Sequence, residues 1–126
     1  MKGVVFTCDG RMYVKNFGEP LYQTVGEAVD GWIEVVHPEG LQYPFCFICN
    51  EEGMLRNLPV NPIGCLWYGT LKHGWPILGT IVVMKEGDAE EGPDIVGLTA
   101  AEIEEVKALA VKLSGGVIVD ADLQEG

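Results

Sequence analysis

CNEEGMLRNLPVN, residues Cys49 to Asn61, sets two adjacent acids and a glycine against an apolar run, with asparagines at three of its thirteen positions. A catalytic motif would produce such a pattern, and so would plain turn chemistry. The stretch before it, Phe45 to Cys49 (FCFIC), is continuously apolar and bounded by Pro44 and Asn50, as in a strand buried on both faces. Asn50 suits the first position of a turn, because its side chain can bond the backbone two residues on. Gly53 suits the last, where positive φ is free of a Cβ clash. Asn50-Glu51-Glu52-Gly53 is therefore expected to be the tip of a hairpin continuing through Met54-Leu55, with both glutamates exposed.

The flanking sequence extends this picture. Gly3 to Cys8 (GVVFTC) is expected as a strand, Asp9-Gly10 as a two-residue type I′ turn, and Arg11 to Lys15 as the returning strand. Met12 and Val14 then share one face and Tyr13 takes the other. Thr24 is placed to cap a short helix through Asp30, closed by a left-handed Gly31. Trp32 to His37 is the next strand. Asn61 and Pro62 open a helix reaching Tyr68, Leu71 to Pro76 is loop, and Ile77 to Lys85 is the strongest strand. Glu86 to Pro93 is an acidic linker. Thr99-Ala-Ala-Glu102 is a capping box for a helix to Leu113, with Ile103, Val106, Ala110 and Leu113 along its apolar stripe. Gly115-Gly116 ends it, Val117 to Val119 forms a short final strand, and the last residues are expected to fray.

A chain of 126 residues, 48% apolar, is expected to be a single domain, 1–126, with enough core to fold without metal or disulfide staples. The fold class is α+β: a mainly antiparallel sheet of about five strands with the C-terminal helix packed on one face. The net charge of −11 argues against a direct nucleic-acid-binding surface, which needs a basic stripe. No run approaches the roughly 20 apolar residues that span a bilayer, and the run after Lys2 is too brief for a signal-peptide core. A cytoplasmic protein with reduced cysteines and no membrane association is expected.

Catalytic and metal signals are weak. Cys46 and Cys49 have zinc-site spacing but lie in an apolar strand, where residues three apart point to opposite faces. Buried core thiols are expected, with no metal and no cofactor. Cys65 and His73 have no residue placed to orient the imidazole, and Gly64 to Gly74 lacks the lysine–serine ending of a phosphate loop. No catalytic constellation emerges.

The segment Gly64 to Trp75 (GCLWYGTLKHGW) concentrates Trp67, Tyr68, Lys72, His73 and Trp75 between glycines. Aromatic faces beside a cation suit a planar anionic ligand or the anchors of an interface, and they equally suit packing on a sheet. Core, oligomer interface and ligand pocket all remain open. Arg11, Lys15, Arg56 and Lys72 fall near turns or strand ends, where they can converge over one sheet edge, with the amides of Asn57 and Asn61 beside Arg56.

Gly31-Trp32-Ile33-Glu34-Val35-Val36, Cys49 to Gly53, Leu58 to Asn61 and Gly79 to Val83 occur in an order and spacing that resemble the family known as domain of unknown function 3846. Its members are small proteins of phages, mobile elements and gut bacteria. The resemblance implies a mobile-element setting and a compact α+β domain, and it implies no reaction. By analogy with small acidic phage proteins, the expected function is non-enzymatic counter-defence. The protein would bind and sequester a small anionic, nucleotide-type signal, with Trp67, Tyr68 or Trp75 stacking the base. Arg56, Lys72 and Arg11 would meet phosphates, Asn57 and Asn61 would assist, and pockets would form in a homo-oligomer. The alternative is an acidic interaction module that mimics nucleic acid and inhibits a basic host protein.

Overall fold

The computed structural model describes residues 1–87 and 95–122. The acidic linker expected over 86–93 lies almost wholly outside them, as do the terminal residues expected to fray.

Three apolar strands, β1 (Lys2–Phe6), β4 (Phe45–Asn50) and β5 (Ile81–Glu86), form the centre of the sheet. β5 pairs antiparallel with β4 on one side and β1 on the other. Outside them stand β3 (Ile33–Val36), next to β4, and β2 (Arg11–Asn16), next to β1. The short β6 (Ile95–Val96) pairs with the end of β5, and β7 (Val119–Asp120) closes the far edge parallel to β2. The expected α+β class and mainly antiparallel sheet are present, with seven strands among the described residues where about five were expected.

Alternation along the central strands produces two apolar faces rather than one. Val4, Phe6, Phe47, Ile81 and Val83 face one cluster, and Val5, Cys46, Ile48, Val82 and Met84 face another. The first cluster is covered by α2 (Pro62–Tyr68) and α4 (Ala100–Leu113), through Ile63, Trp67, Ile103, Val106 and Ala110. The second is covered by α1 (Leu21–Val29), through Val25 and Val29. The C-terminal helix thus takes one face as expected, while α1 takes the other.

Local signals were met where side chains touch their own backbone. Thr99 accepts from the Glu102 N–H and the Glu102 carboxylate accepts from the Thr99 N–H, completing the capping box. Asn61 caps α2 by accepting from the Gly64 N–H at 3.0 Å. It is also fully buried, and its amide donates to the carbonyls of Phe6 (3.0 Å) and Gly79 (2.9 Å). One side chain therefore ties a helix start to β1 and to the entry of β5. Gly40 brings the loop after β3 onto α2: its N–H bonds the Trp67 carbonyl, and a Cβ there would sit 2.7 Å from that oxygen.

Several expectations are corrected. The Asn50–Gly53 turn forms, with the Glu52 N–H donating to the Asn50 side chain at 2.7 Å, but it is no hairpin tip. Met54 and Leu55 continue in turns, and Gly53 is buried against Leu78 rather than held at positive φ. β4 finds its partners in β3 and β5 instead. The first hairpin carries a three-residue loop, Cys8–Gly10, with the Thr7 N–H on the Arg11 carbonyl and Gly10 at φ 83°, the type I turn plus bulge. α1 begins before Thr24, whose hydroxyl bonds the Gly18 carbonyl, and the left-handed residue that ends it is Asp30 (φ 64°) rather than Gly31. A short helix, α3 (Thr70–His73), takes the first half of the expected loop 71–76. The strand expected from Ile77 starts at Ile81, after an isolated Val60–Leu78 bridge.

The apolar stripe of α4 includes Lys107 in place of Leu113, which is 41% exposed. The buried Lys107 ammonium contacts the carboxylates of Asp120 (3.1 Å) and Asp122 (2.9 Å), and Asp122 also accepts from the Val14 N–H. Burial alone would lower the lysine's pKa; hydrogen bonds to Asp122 and Asp120 outweigh it and raise the pKa. The ion cluster holds the residues after α4 against β2.

Replacing Asn61 with alanine leaves two buried carbonyls and a helix N–H without partners. Asn61→Ala is expected to lower stability by roughly 3 kcal/mol. Urea unfolding should show a lower midpoint at unchanged slope, and an unchanged midpoint would contradict the role assigned to this side chain.

Candidate functional site

A cleft of about 380 Å³ opens between β3, the turns after β4 and the segment leaving α3. β3 contributes Glu34 and Val36, while the turns contribute Glu51, Met54 and Leu55. Tyr68 and Trp75 form the opposite wall. Tyr68 stands at the end of α2, its ring 5.5 Å from that of His73. Trp75 follows Gly74, which ends α3 at φ 82°, and is fixed through its carbonyl by the Thr70 hydroxyl at 2.8 Å. Its side chain is left 61% exposed. The Ile77 N–H donates to the Cys65 sulfur at 3.3 Å, anchoring the chain after Trp75 to α2.

Both charged side chains in this lining are carboxylates, and no lysine or arginine joins them among the described residues. Cys49 lies at the floor, its thiol pushed up to about 12 by burial and by the neighbouring Glu34 charge. It is a protonated wall group. Cys46, three residues earlier, enters the opposite apolar cluster and is likewise pushed up to about 12, by burial and then by the Glu86 charge.

The residues singled out from the sequence divide between sites. Tyr68 and Trp75 meet at this cleft. Trp67 does not: it is buried edge-on against Phe6, ring centres 5.1 Å apart, and packs the core. Asn61 is buried and committed to the backbone bonds described above. Asn57 is exposed at φ 51° and closes the run of turns. The cations expected to converge are each held elsewhere. Lys72 contacts Glu39 at 3.4 Å, and Lys15 lies over the Phe17 ring at 5.6 Å. Arg11 pairs with Asp9 at 2.9 Å. Arg56 pairs with Asp30 at 2.8 Å and donates to the Asp30 carbonyl. Arg11 and Asp30 border a different cleft, of about 400 Å³, with Thr7, Cys8 and Thr80. The aromatics Tyr68 and Trp75 and the cation Arg11 therefore stand at separate clefts.

A third, shallower cleft, about 550 Å³, lies between α1 and β3 and was missed in the sequence. Tyr22 and Trp32 frame it, with Gly26, Glu27 and Asp30 between. Trp32 is 73% exposed. The available signal was a tryptophan at the very start of a strand, directly after the glycine that follows a helix.

Among the described residues, no group of three His, Cys, Asp or Glu side chains is arranged to hold a metal ion, and no helix is long and apolar enough to cross a membrane. The family model of a domain of unknown function, DUF3846, matches residues 1–110, and the chain belongs to that family. No curated protein and no solved structure matches it.

Burial and protonation together predict the behaviour of the thiols. With a disulfide reagent at mildly alkaline pH, Cys46 and Cys49 are expected to stay unreacted in the native protein and to react once denaturant exposes them. Modification of either in the folded protein, identified by peptide mapping, would contradict the burial described.

Proposed function

We propose that this member of the DUF3846 family is a non-enzymatic, cytoplasmic binding protein whose acidic, aromatic-walled cleft takes a basic segment of a partner protein. The observation that carries the reading is the cleft lining itself: Trp75 and Tyr68 share it with Glu34 and Glu51, and no lysine or arginine lines it among the described residues. A lysine or arginine head entering there meets an aromatic face and two carboxylates, and its methylene stem packs on Met54 and Leu55. The net charge of −11 steers basic partners toward the surface from a distance, as in a protein that imitates nucleic acid. Inhibition follows if the covered segment is the partner's own nucleic-acid contact.

A synthetic lysine-rich peptide tests this through the change in tryptophan fluorescence. Binding is expected to weaken about three- to fivefold in Trp75→Ala. It should also weaken in Glu34→Gln and fall steeply as salt rises. Equal binding by both variants and the unaltered protein would sink the reading.

A second reading, sequestration of a nucleotide-type signal as counter-defence, is favoured by Arg11 at the 400 Å³ cleft and by Arg56, which pairs with Asp30 of that lining. It requires phosphates to displace Asp9 and Asp30, or a homo-oligomer to bring the aromatics of a second copy alongside. A nucleotide carried intact through gel filtration by the natural protein, and lost in Arg56→Ala, is the expected result. Turnover of that nucleotide, or its equal retention by Arg56→Ala, would count against it.

A further inference from the structure

Among the described residues β3 is the outermost strand on its side of the sheet, bonded to β4 alone. Its register fixes which of its backbone groups are spoken for. In an antiparallel pair, opposed residues alternate between exchanging both hydrogen bonds and exchanging none. The Glu51 N–H donates to the Trp32 carbonyl at 2.8 Å, so the bonding phase at this pair includes Trp32, and then Glu34 and Val36. Ile33 and Val35 consequently turn their N–H and C=O groups outward. Among the described residues, no hydrogen bond reaches those groups.

The two sides of this edge are not alike, and each carries a cleft. Glu34 and Val36 project into the cleft bearing Trp75 and Glu51. Ile33 projects to the opposite face, into the cleft framed by Trp32 and Tyr22 with Glu27 and Asp30. A strand added along β3 would send successive side chains alternately to the two faces, one set toward each cleft. The charged side chains lining both clefts are carboxylates; Asp30 is already paired with Arg56 at 2.8 Å, and Glu34, Glu51 and Glu27 have no ion-pair partner among the described residues.

We propose that β3 is a docking edge for an extended basic peptide of a partner protein, which joins the sheet as an additional strand and places alternate side chains in the two clefts. This rests on the binding reading above and specifies its geometry. Main-chain bonds to Ile33 and Val35 hold the peptide, while the clefts on either face select its side chains. Charge complementarity names the occupant. A second copy of this chain would bring its own Glu34, in the middle of β3, against this one, and exposed edge charges of that kind oppose self-pairing.

The test uses the full chain and a ten-residue synthetic peptide alternating lysine and valine. Amide hydrogen exchange at Ile33 and Val35 is expected to slow about tenfold on saturation, as two new backbone bonds would produce. The same peptide with alternate backbone nitrogens methylated, on the edge that faces β3, is expected to bind about tenfold more weakly for the same reason. Val35→Pro removes an outward N–H, at an edge position where proline is tolerated, and is expected to weaken binding while circular dichroism stays unchanged. The exchange and N-methyl measurements need no altered protein, so they stand even if that variant unfolds. Should the peptide bind and respond to Trp75→Ala while both amides exchange at their free rates, the strand-addition proposal fails and the cleft reading survives. No binding of either peptide defeats both. Equal binding of an alternating serine–valine peptide, or slowed exchange at Ile33 and Val35 that rises with protein concentration alone, also overturns the proposal by naming a different occupant.

Discussion

A sheet whose three central strands are apolar at nearly every position has two faces that water cannot be left to cover. Val4 to Phe6, Cys46 to Ile48 and Ile81 to Met84 impose that condition, and the rest of the molecule answers it. α2 and α4 close one face and α1 the other, so the helices are distributed by the strands rather than by their own order in the chain. Two consequences follow for function. The faces are filled by core packing, and the clefts are pushed to the rim, where turns and helix ends leave space. The rim beside β3 is where two of them coincide.

What could be read from the sequence was whatever a residue does to its immediate neighbours. The Thr99–Glu102 capping box, the Asn61-Pro62 helix start and the Asn50 side-chain bond two residues on are all local geometry, and all are present. Misreadings arose where a distant partner overruled local preference. Met54-Leu55 looked like a returning strand because nothing nearby reveals that β4 already has β3 and β5 on its two sides. Lys107, absent from the expected stripe, joins it because Asp120 and Asp122, thirteen and fifteen positions later, supply two carboxylates beside its ammonium. Leu113 lost its place on the stripe near the end of the same helix.

The candidate site was legible in composition and not in arrangement. The glycine-punctuated aromatic segment does supply a cleft wall, through Tyr68 and Trp75, yet its middle tryptophan belongs to the core beside Phe6. The basic residues were expected near turns or strand ends; Arg11 and Lys15 lie in β2, Arg56 in a turn and Lys72 in α3, and each has its own partner: Asp9 for Arg11, Asp30 for Arg56, Glu39 for Lys72, the Phe17 ring for Lys15. In a chain with 19 acids and 8 bases, a cation finds a carboxylate close at hand more readily than it finds other cations. The acids left over define the electrostatic character of the clefts.

Asn61 has a last implication for the cleft whose wall begins one helix later. By holding the first turn of α2 to the carbonyls of Phe6 and Gly79, it makes Tyr68 the end of a short arm clamped to the middle of the sheet. Trp75 reaches the same space from the far side of two left-handed glycines, Gly69 and Gly74. The cleft thus has two set jaws, the phenol held through Asn61 and the indole held by the Thr70 and Cys65 bonds to its flanking backbone, so the girth of a cargo is limited by bonds made well away from the opening.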